Sequence, residues 1–175
     1  MSASSIRIVR AMDPAGITLR QADNPELVAI ARALFLEYAE AIGTDLEYQG
    51  FSAELARLPD PYVPPQGALL VAQANGRIAG CVCLRPLDAA AGEMKRLYVR
   101  EDFRGTGLGA RLVEAVISIA RQAGYPQLRL DTLPHMAAAQ ALYRRLGFVE
   151  IPPYNATHLP GTRFYALRLD PRPAT

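Results

Sequence analysis

The run Arg104-Gly105-Thr106-Gly107-Leu108-Gly109 carries the most specific chemistry in this chain, because it sets glycines at alternate positions between an apolar strand-like segment and a long amphipathic one. Glycines allow successive backbone N–H groups to converge on one concavity. The positive end of a following helix adds its dipole, so such a turn holds phosphate oxygens with few side chains. A P-loop needs lysine and a hydroxyl residue after its last glycine, but Ala110 and Arg111 follow Gly109. A dinucleotide fingerprint fits loosely as Gly105-x-Gly107-x-x-Ala110, with Asp131 as the acidic residue ending the next strand. That fingerprint leaves its strand through a tight turn, whereas Arg100 to Arg104 intervene here, four of the five charged. It also opens a domain, and only about seventy residues follow, short for the rest of a doubly wound sheet with crossovers of roughly thirty residues each.

The flanking residues extend the pattern on both sides. Arg104-x-x-Gly107-x-Gly109 resembles the Arg/Gln-x-x-Gly-x-Gly/Ala pyrophosphate loop of the GNAT superfamily of acyl-CoA-dependent N-acetyltransferases. Glu93-Met-Lys-Arg-Leu-Tyr-Val99 is similar to that family's fourth strand, and Ala139-Gln-Ala-Leu-Tyr143-Arg-Arg-Leu-Gly147-Phe148 to its Ala-x-x-Leu-Tyr-x-x-x-Gly-Phe segment. The resemblance spans about Ile17 to Leu169, is strongest from Gly92 to Phe148 and is faint before Leu69.

It implies an α/β fold, a GNAT-type three-layer α/β/α sandwich with a mixed, mostly antiparallel central sheet. It also implies acetyl-CoA as cosubstrate, no metal, and direct attack of a primary amine within a ternary complex; the single short domain favours a small-molecule amine over a large protein target. Arg104, Gly105, Thr106, Gly107, Leu108, Gly109 and Ala110 match the pyrophosphate loop, acting mainly through backbone N–H groups. Leu97, Tyr98 and Val99 match the strand whose backbone hydrogen-bonds the pantetheine arm and thioester. Tyr143 matches the tyrosine that protonates, or hydrogen-bonds to, the departing sulfur, a role suited to a phenol of ordinary pKa about 10. Glu93 matches the glutamate that, in part of the family, draws a proton from the amine through water. Strand alternation places it on the same side as Lys95, Leu97 and Val99. One departure stands nearby: relatives often carry asparagine seven residues before the tyrosine, and here that position is Met136. The acceptor region by resemblance includes Glu37, Tyr38, Asp45, Glu47, Tyr48, Tyr62 and the loop 152–158, with Arg96 or Arg163 able to clamp a carboxylate. Homodimers are common in the family, although no residue here specifies one. The rival from another class is a non-catalytic acyl-CoA-binding sensor, which fold and phosphate loop alone would equally serve.

Bulk properties agree. A chain of 175 residues, half of them hydrophobic, suits one domain with a substantial core. A single domain over 1–170 with a flexible tail at 171–175 is the expected organisation. A net charge of +2 exerts no broad pull on nucleic acid or anionic membrane. No run approaches the roughly eighteen apolar residues of a membrane span, and the N-terminus lacks an apolar signal core, which predicts a cytoplasmic protein. Of nineteen basic residues only Lys95 is lysine. His135 and His158 lack partners at metal-ligand spacing, and Cys81 and Cys83, two apart in a strand-like run, read as buried free thiols.

The elements that must position these residues follow from periodicity and punctuation. Ile17–Arg20 alternates as a strand, with Ile6–Val9 as an additional or alternative first one. Asp23-Asn-Pro25-Glu26 starts a helix running to about Ala41, and a short helix is predicted over Ser52–Arg57. Ala68–Gln73 and Arg77–Leu84 flank an Asn75-Gly76 hairpin signal. Beyond the small-residue loop Asp88–Gly92 come a strand at Glu93–Val99, a helix at Gly107–Ala123 and a strand at Leu128–Asp131. A helix from Pro134 to Leu146, capped by Gly147, and closing strands at Phe148–Ile151 and Phe164–Leu169 complete the series.

Overall fold

The structure, a computed structural model, describes residues 16–169. The strand expected at Ile6–Val9 and the tail expected at 171–175 lie outside those residues. Strands β1 (Ile17–Gln21), β2 (Ala68–Ala74), β3 (Arg77–Asp88), β4 (Ala91–Val99), β5 (Gln127–Thr132), β6 (Val149–Ile151) and β7 (Arg163–Arg168) form one sheet in the order β1-β2-β3-β4-β5-β7-β6. Only the β4–β5 pair is parallel. Helices α1 (Pro25–Ile42) and α2 (Phe51–Arg57) cover one face; α3 (Leu108–Gln122) and α4 (Ala137–Arg145) cover the other. The sheet therefore lies between two helical layers, as the resemblance implies.

Two cores result, one on each face. Leu69, Val71, Cys81 and Cys83 pack with Leu27, Leu34 and Phe35 of α1. Their strand neighbours Leu70, Ala72, Val82 and Leu84 pack with Leu112, Val113 and Val116 of α3. Residues 68–72 of β2 and 78–84 of β3 are apolar at every position because both faces are covered, whereas a half-exposed strand would alternate. Both cysteines are free and buried on the α1 face; burial pushes the Cys81 thiol up to about 12.

Local chemistry sets the element ends. The Asn24 side chain accepts from the Leu27 N–H at 3.0 Å and Pro25 opens α1 without needing a donor. Asn75 and Gly76 both take positive φ, 50° and 78°, the primed turn that matches strand twist. Two expected boundaries move. Strand β3 runs on through Pro86 to Asp88, because its pairing with β2 ends at Leu84 and a proline there deprives no ladder. The expected loop shrinks to a turn at Ala89 and Ala90, closed by the Ala90 N–H donating to Asp88 Oδ1. Helix α4 begins at Ala137 rather than Pro134, because Met136 sits at φ −87°, ψ 59° and its N–H donates to the Leu133 carbonyl in a separate turn.

Candidate active site

The glycine run folds into the turn that delivers the chain to α3. Gly105 and Gly107 have φ of 75° and 84°, values that cost an L-residue about 1–2 kcal/mol. Gly107 occupies the N-cap of α3, and no side chain caps the helix there. The first N–H groups of α3 have no intrahelical acceptor, and residues 104–107 of the approaching turn are exposed. Leu108 is buried, which anchors the helix end. Thr106 Oγ1 donates to the Phe103 carbonyl and Arg104 Nε to the Val99 carbonyl at 3.1 Å, so both side chains brace the turn.

Beside this turn the sheet opens. Pairing of β4 with β5 covers only Ala91–Glu93 against Gln127–Arg129. Beyond it β5 remains paired with β7 and β4 with β3. The edge of β4 along Leu97, Tyr98 and Val99 that faces β5 therefore has no strand partner, and its backbone groups, apart from the Val99 carbonyl that Arg104 engages, are available to an extended ligand.

A bulge sits at the same place. Tyr98 pairs with Cys81 and Lys95 with Cys83, so Arg96 and Leu97 together oppose Val82. The bulge corrects the alternation expected from sequence. Met94, Leu97 and Val99 face the α3 core, while Tyr98 packs on the α1 side. Glu93 thus does not share a side with Leu97 and Val99, because one extra residue shifts the phase. Arg96 carries the distortion at φ 58°, a conformation costing about 1–3 kcal/mol. Its guanidinium, 5% exposed as a residue, donates to both carboxylate oxygens of Glu54 at 2.9 and 3.1 Å and lies 5.3 Å over the Phe51 ring. The α2 helix thereby holds the bulge in place.

The opening is a cleft through the sheet, lined from one side by Met94, Leu97, Leu130 and Tyr143 and from the other by Tyr38, Tyr48, Lys95 and Asp131. Tyr143 on α4 packs between Phe148 and Tyr165, at ring separations of 5.7 and 6.2 Å. Burial pushes its phenol well up, so it stays protonated at neutral pH.

Glu93 is placed differently. It is 1% exposed and lies outside the cleft lining. Arg85 contacts its Oε1 at 2.8 Å through both Nε and Nη2, Lys95 stands 3.8 Å from the same oxygen, and the Tyr154 hydroxyl donates to Oε2 at 2.7 Å. Burial alone would raise this carboxyl; Lys95, Arg85 and the Tyr154 hydroxyl together hold it below its ordinary range. A carboxylate with both oxygens engaged and a lowered pKa is a weak base.

Of the acceptor-side residues named from sequence, Tyr38, Tyr48 and Arg96 reach the cleft. Glu37 is bound to Arg100, Asp45 accepts from the Glu47 N–H, Glu47 holds Ser52, and Tyr62 is in the core. Arg96 is committed to Glu54, and Arg163 stands 3.7 Å from Glu150 on the exposed edge. Neither arginine is placed to clamp a substrate. The polar cleft residues that sequence reasoning left unassigned are Gln49, Lys95, Asp131, Thr132 and Thr162. Asp131 stood out only as a fingerprint acid; its place opposite Lys95 needs the β4–β5 register. Among the described residues no group of three His, Cys, Asp or Glu could hold a metal ion, and no helix is long and apolar enough to cross a membrane.

Comparison with known proteins identifies the family and the fold. A sequence model of the Acetyltransferase (GNAT) family matches residues 24–148. An uncharacterised N-acetyltransferase of Schizosaccharomyces pombe is 35% identical over 90% of this chain and 98% of its own. Among solved structures, a GNAT family acetyltransferase from Staphylococcus aureus superposes with a TM-score of 0.72 at 22% identity, covering 88% of this chain and 99% of that one. Another, from Elizabethkingia anophelis with acetyl-CoA bound, gives a TM-score of 0.63 at 24% identity, over 87% and 98%.

Proposed function

Since the chain belongs to the GNAT family of acetyltransferases, we propose that it is an N-acetyltransferase that moves an acetyl group from acetyl-CoA to the primary amine of a small molecule by direct attack within a ternary complex. The observation that carries this reading is the uncapped, glycine-led start of α3 lying beside the released edge of β4. The first is an anion site and the second a backbone rail; Arg104 Nε ties the turn to the Val99 carbonyl, and Leu97 of the rail lines the cleft. The pyrophosphate belongs on the N–H groups of Gly105 through Ala110, with Arg104 and Thr106 bracing the turn. The pantetheine arm belongs along Leu97, Tyr98 and Val99. Acetyl-CoA supplies the activated acyl group.

Tyr143 is the proton donor for the sulfur. It lines the cleft and its phenol is protonated throughout the neutral range. General-acid assistance of this kind contributes about 10²–10⁴-fold. Glu93 is assigned instead as the anchor that fixes Arg85, Lys95 and Tyr154, since its oxygens are taken and its pKa is lowered.

A thermal-shift titration tests the donor. Acetyl-CoA and CoA are expected to raise the melting temperature in proportion to log concentration once saturating, while NAD leaves it unchanged. No shift with either coenzyme would remove the phosphate-loop assignment. Free-thiol release in an amine panel then tests transfer.

A further inference from the structure

Beyond the last β4–β5 pair, Glu93 with Arg129, the two strands diverge. Two residues further along each strand stand Lys95 and Asp131. Leu128 and Leu130 face the α3 core, as Met94 does, so Lys95 and Asp131 share the α1 side, on opposite walls of the cleft that both line. Asp131 is the acidic residue of that lining, and among the described residues no hydrogen bond or ion pair engages its carboxylate. Lys95 Nζ has only long contacts, 3.5 Å to Gln49 Oε1 and 3.8 Å to Glu93 Oε1, the latter oxygen already held by Arg85. Two further groups in the same lining wait for partners: the hydroxyls of Thr132 and Thr162 are buried without a hydrogen bond. Thr132 is only 5% exposed, a burial that normally demands a partner.

A positive and a negative side chain on facing walls, not paired with each other, complement a ligand that carries both charges. Resting on the acetyl-transfer reading, we propose that the acceptor is a small zwitterion of the amino-acid type, its ammonium on Asp131 and its carboxylate on Lys95. A simple alkylamine leaves Lys95 with only its 3.8 Å contact to Glu93 as counter-charge, and a polyamine meets Lys95 as a like charge. Burial lifts the Asp131 carboxyl above its ordinary range, with Lys95 acting against it. That makes Asp131 a better proton acceptor than an exposed aspartate. It takes one proton from the ammonium, leaving a neutral amine. The nitrogen lone pair then forms the C–N bond as the C–S bond breaks. The electron pair of that bond stays on sulfur, which takes the Tyr143 proton, and the second amine proton leaves through solvent to restore the phenol.

The test is a free-thiol assay with acetyl-CoA and a fixed panel: the standard α-amino acids, β-alanine and γ-aminobutyrate, the C-terminal amide of each, simple n-alkylamines and spermidine. The expected result is turnover of at least one zwitterion, with its amide at least tenfold poorer in kcat/KM. In Asp131→Asn, kcat/KM for that zwitterion should fall about 100-fold while the acetyl-CoA thermal shift is retained. In Lys95→Met, KM for the zwitterion should rise about tenfold and KM for its amide should stay level. That split is one a general loss of folding would not produce. Turnover of amides, alkylamines or spermidine as good as that of any zwitterion overturns the proposal, as does a panel with no turnover of any zwitterion. The acetyl-CoA shift is read separately, so a failed acceptor assignment is distinguished from a failed donor one.

Discussion

The two sides of the split sheet are built from different materials. On the α3 side the site is backbone: glycines at positive φ, the bare start of a helix and an unpartnered strand edge. On the α1 side it is side-chain charge: Arg96 locked to Glu54, Glu93 ringed by Arg85, Lys95 and Tyr154, and Asp131 facing Lys95. A backbone site recognises what every coenzyme A thioester shares. A charged site can vary residue by residue while the sheet stays the same, which is why the proposed acceptor pocket is assigned to that side. The contrast also predicts where damage shows, in folding on the charged side and in ligand binding on the backbone side.

The largest effect should come from Glu54→Ala. It leaves the Arg96 guanidinium buried without its anion, and breaking such a pair costs about 3–5 kcal/mol. Chemical denaturation measures it. A loss under about 1 kcal/mol would mean that the bulge stands without α2. Next comes Tyr143→Phe, expected to cut kcat about 100-fold while acetyl-CoA affinity holds; unchanged turnover removes the phenol from the reaction. Third is Gly107→Val. Nothing lies within 4 Å of an added Cβ, so the penalty is conformational. At about 1–2 kcal/mol it should weaken acetyl-CoA binding about tenfold by titration calorimetry. Equal affinity would show that the turn reaches its conformation without glycine.

The smallest effect is a slope. The folded-state pKa of Glu93 lies below its unfolded value, so its contribution to stability is present above the ordinary carboxylate range and is lost as pH falls through it. Unfolding free energy should drop on acidification below about pH 4.5. In Glu93→Gln it should start lower and fall less steeply. Parallel curves for the two proteins would show that the ion pairs contribute nothing to the acid limb.

The same contrast explains what could be read from the chain. Glycine spacing, the Asn24-Pro25 start of α1 and the Asn75-Gly76 turn are local rules, and the structure places each where the sequence predicts it. The doubly apolar β2 and β3 announce a covered sheet centre. The charged side depends on partners far apart in sequence. Arg96 meets Glu54 across 42 residues, and Tyr154 meets Glu93 across 61. No spacing rule reaches that far, so Arg96 looked available and Glu93 looked free. The bulge was equally hidden. Nothing in Lys95-Arg96-Leu97 marks a phase change, and simple alternation put Leu97 and Val99 on the wrong face. Helix α4 lost its first turn for a related reason: Pro134 is a sound start signal, but the Gln140 side chain donates to the Leu133 carbonyl and fixes a turn ahead of the helix.

For anyone recombining this chain with a relative, the bulge makes β4 indivisible. A crossover inside the strand that gains or drops one residue next to Arg96 would turn the inner wall inside out. Leu97 and Val99 would be sent among the charges and Tyr98 into the α3 core. Segments exchanged at Ala90 and Arg100 would instead carry the phase shift intact, with the acceptor side of the donor strand transplanted as one cassette.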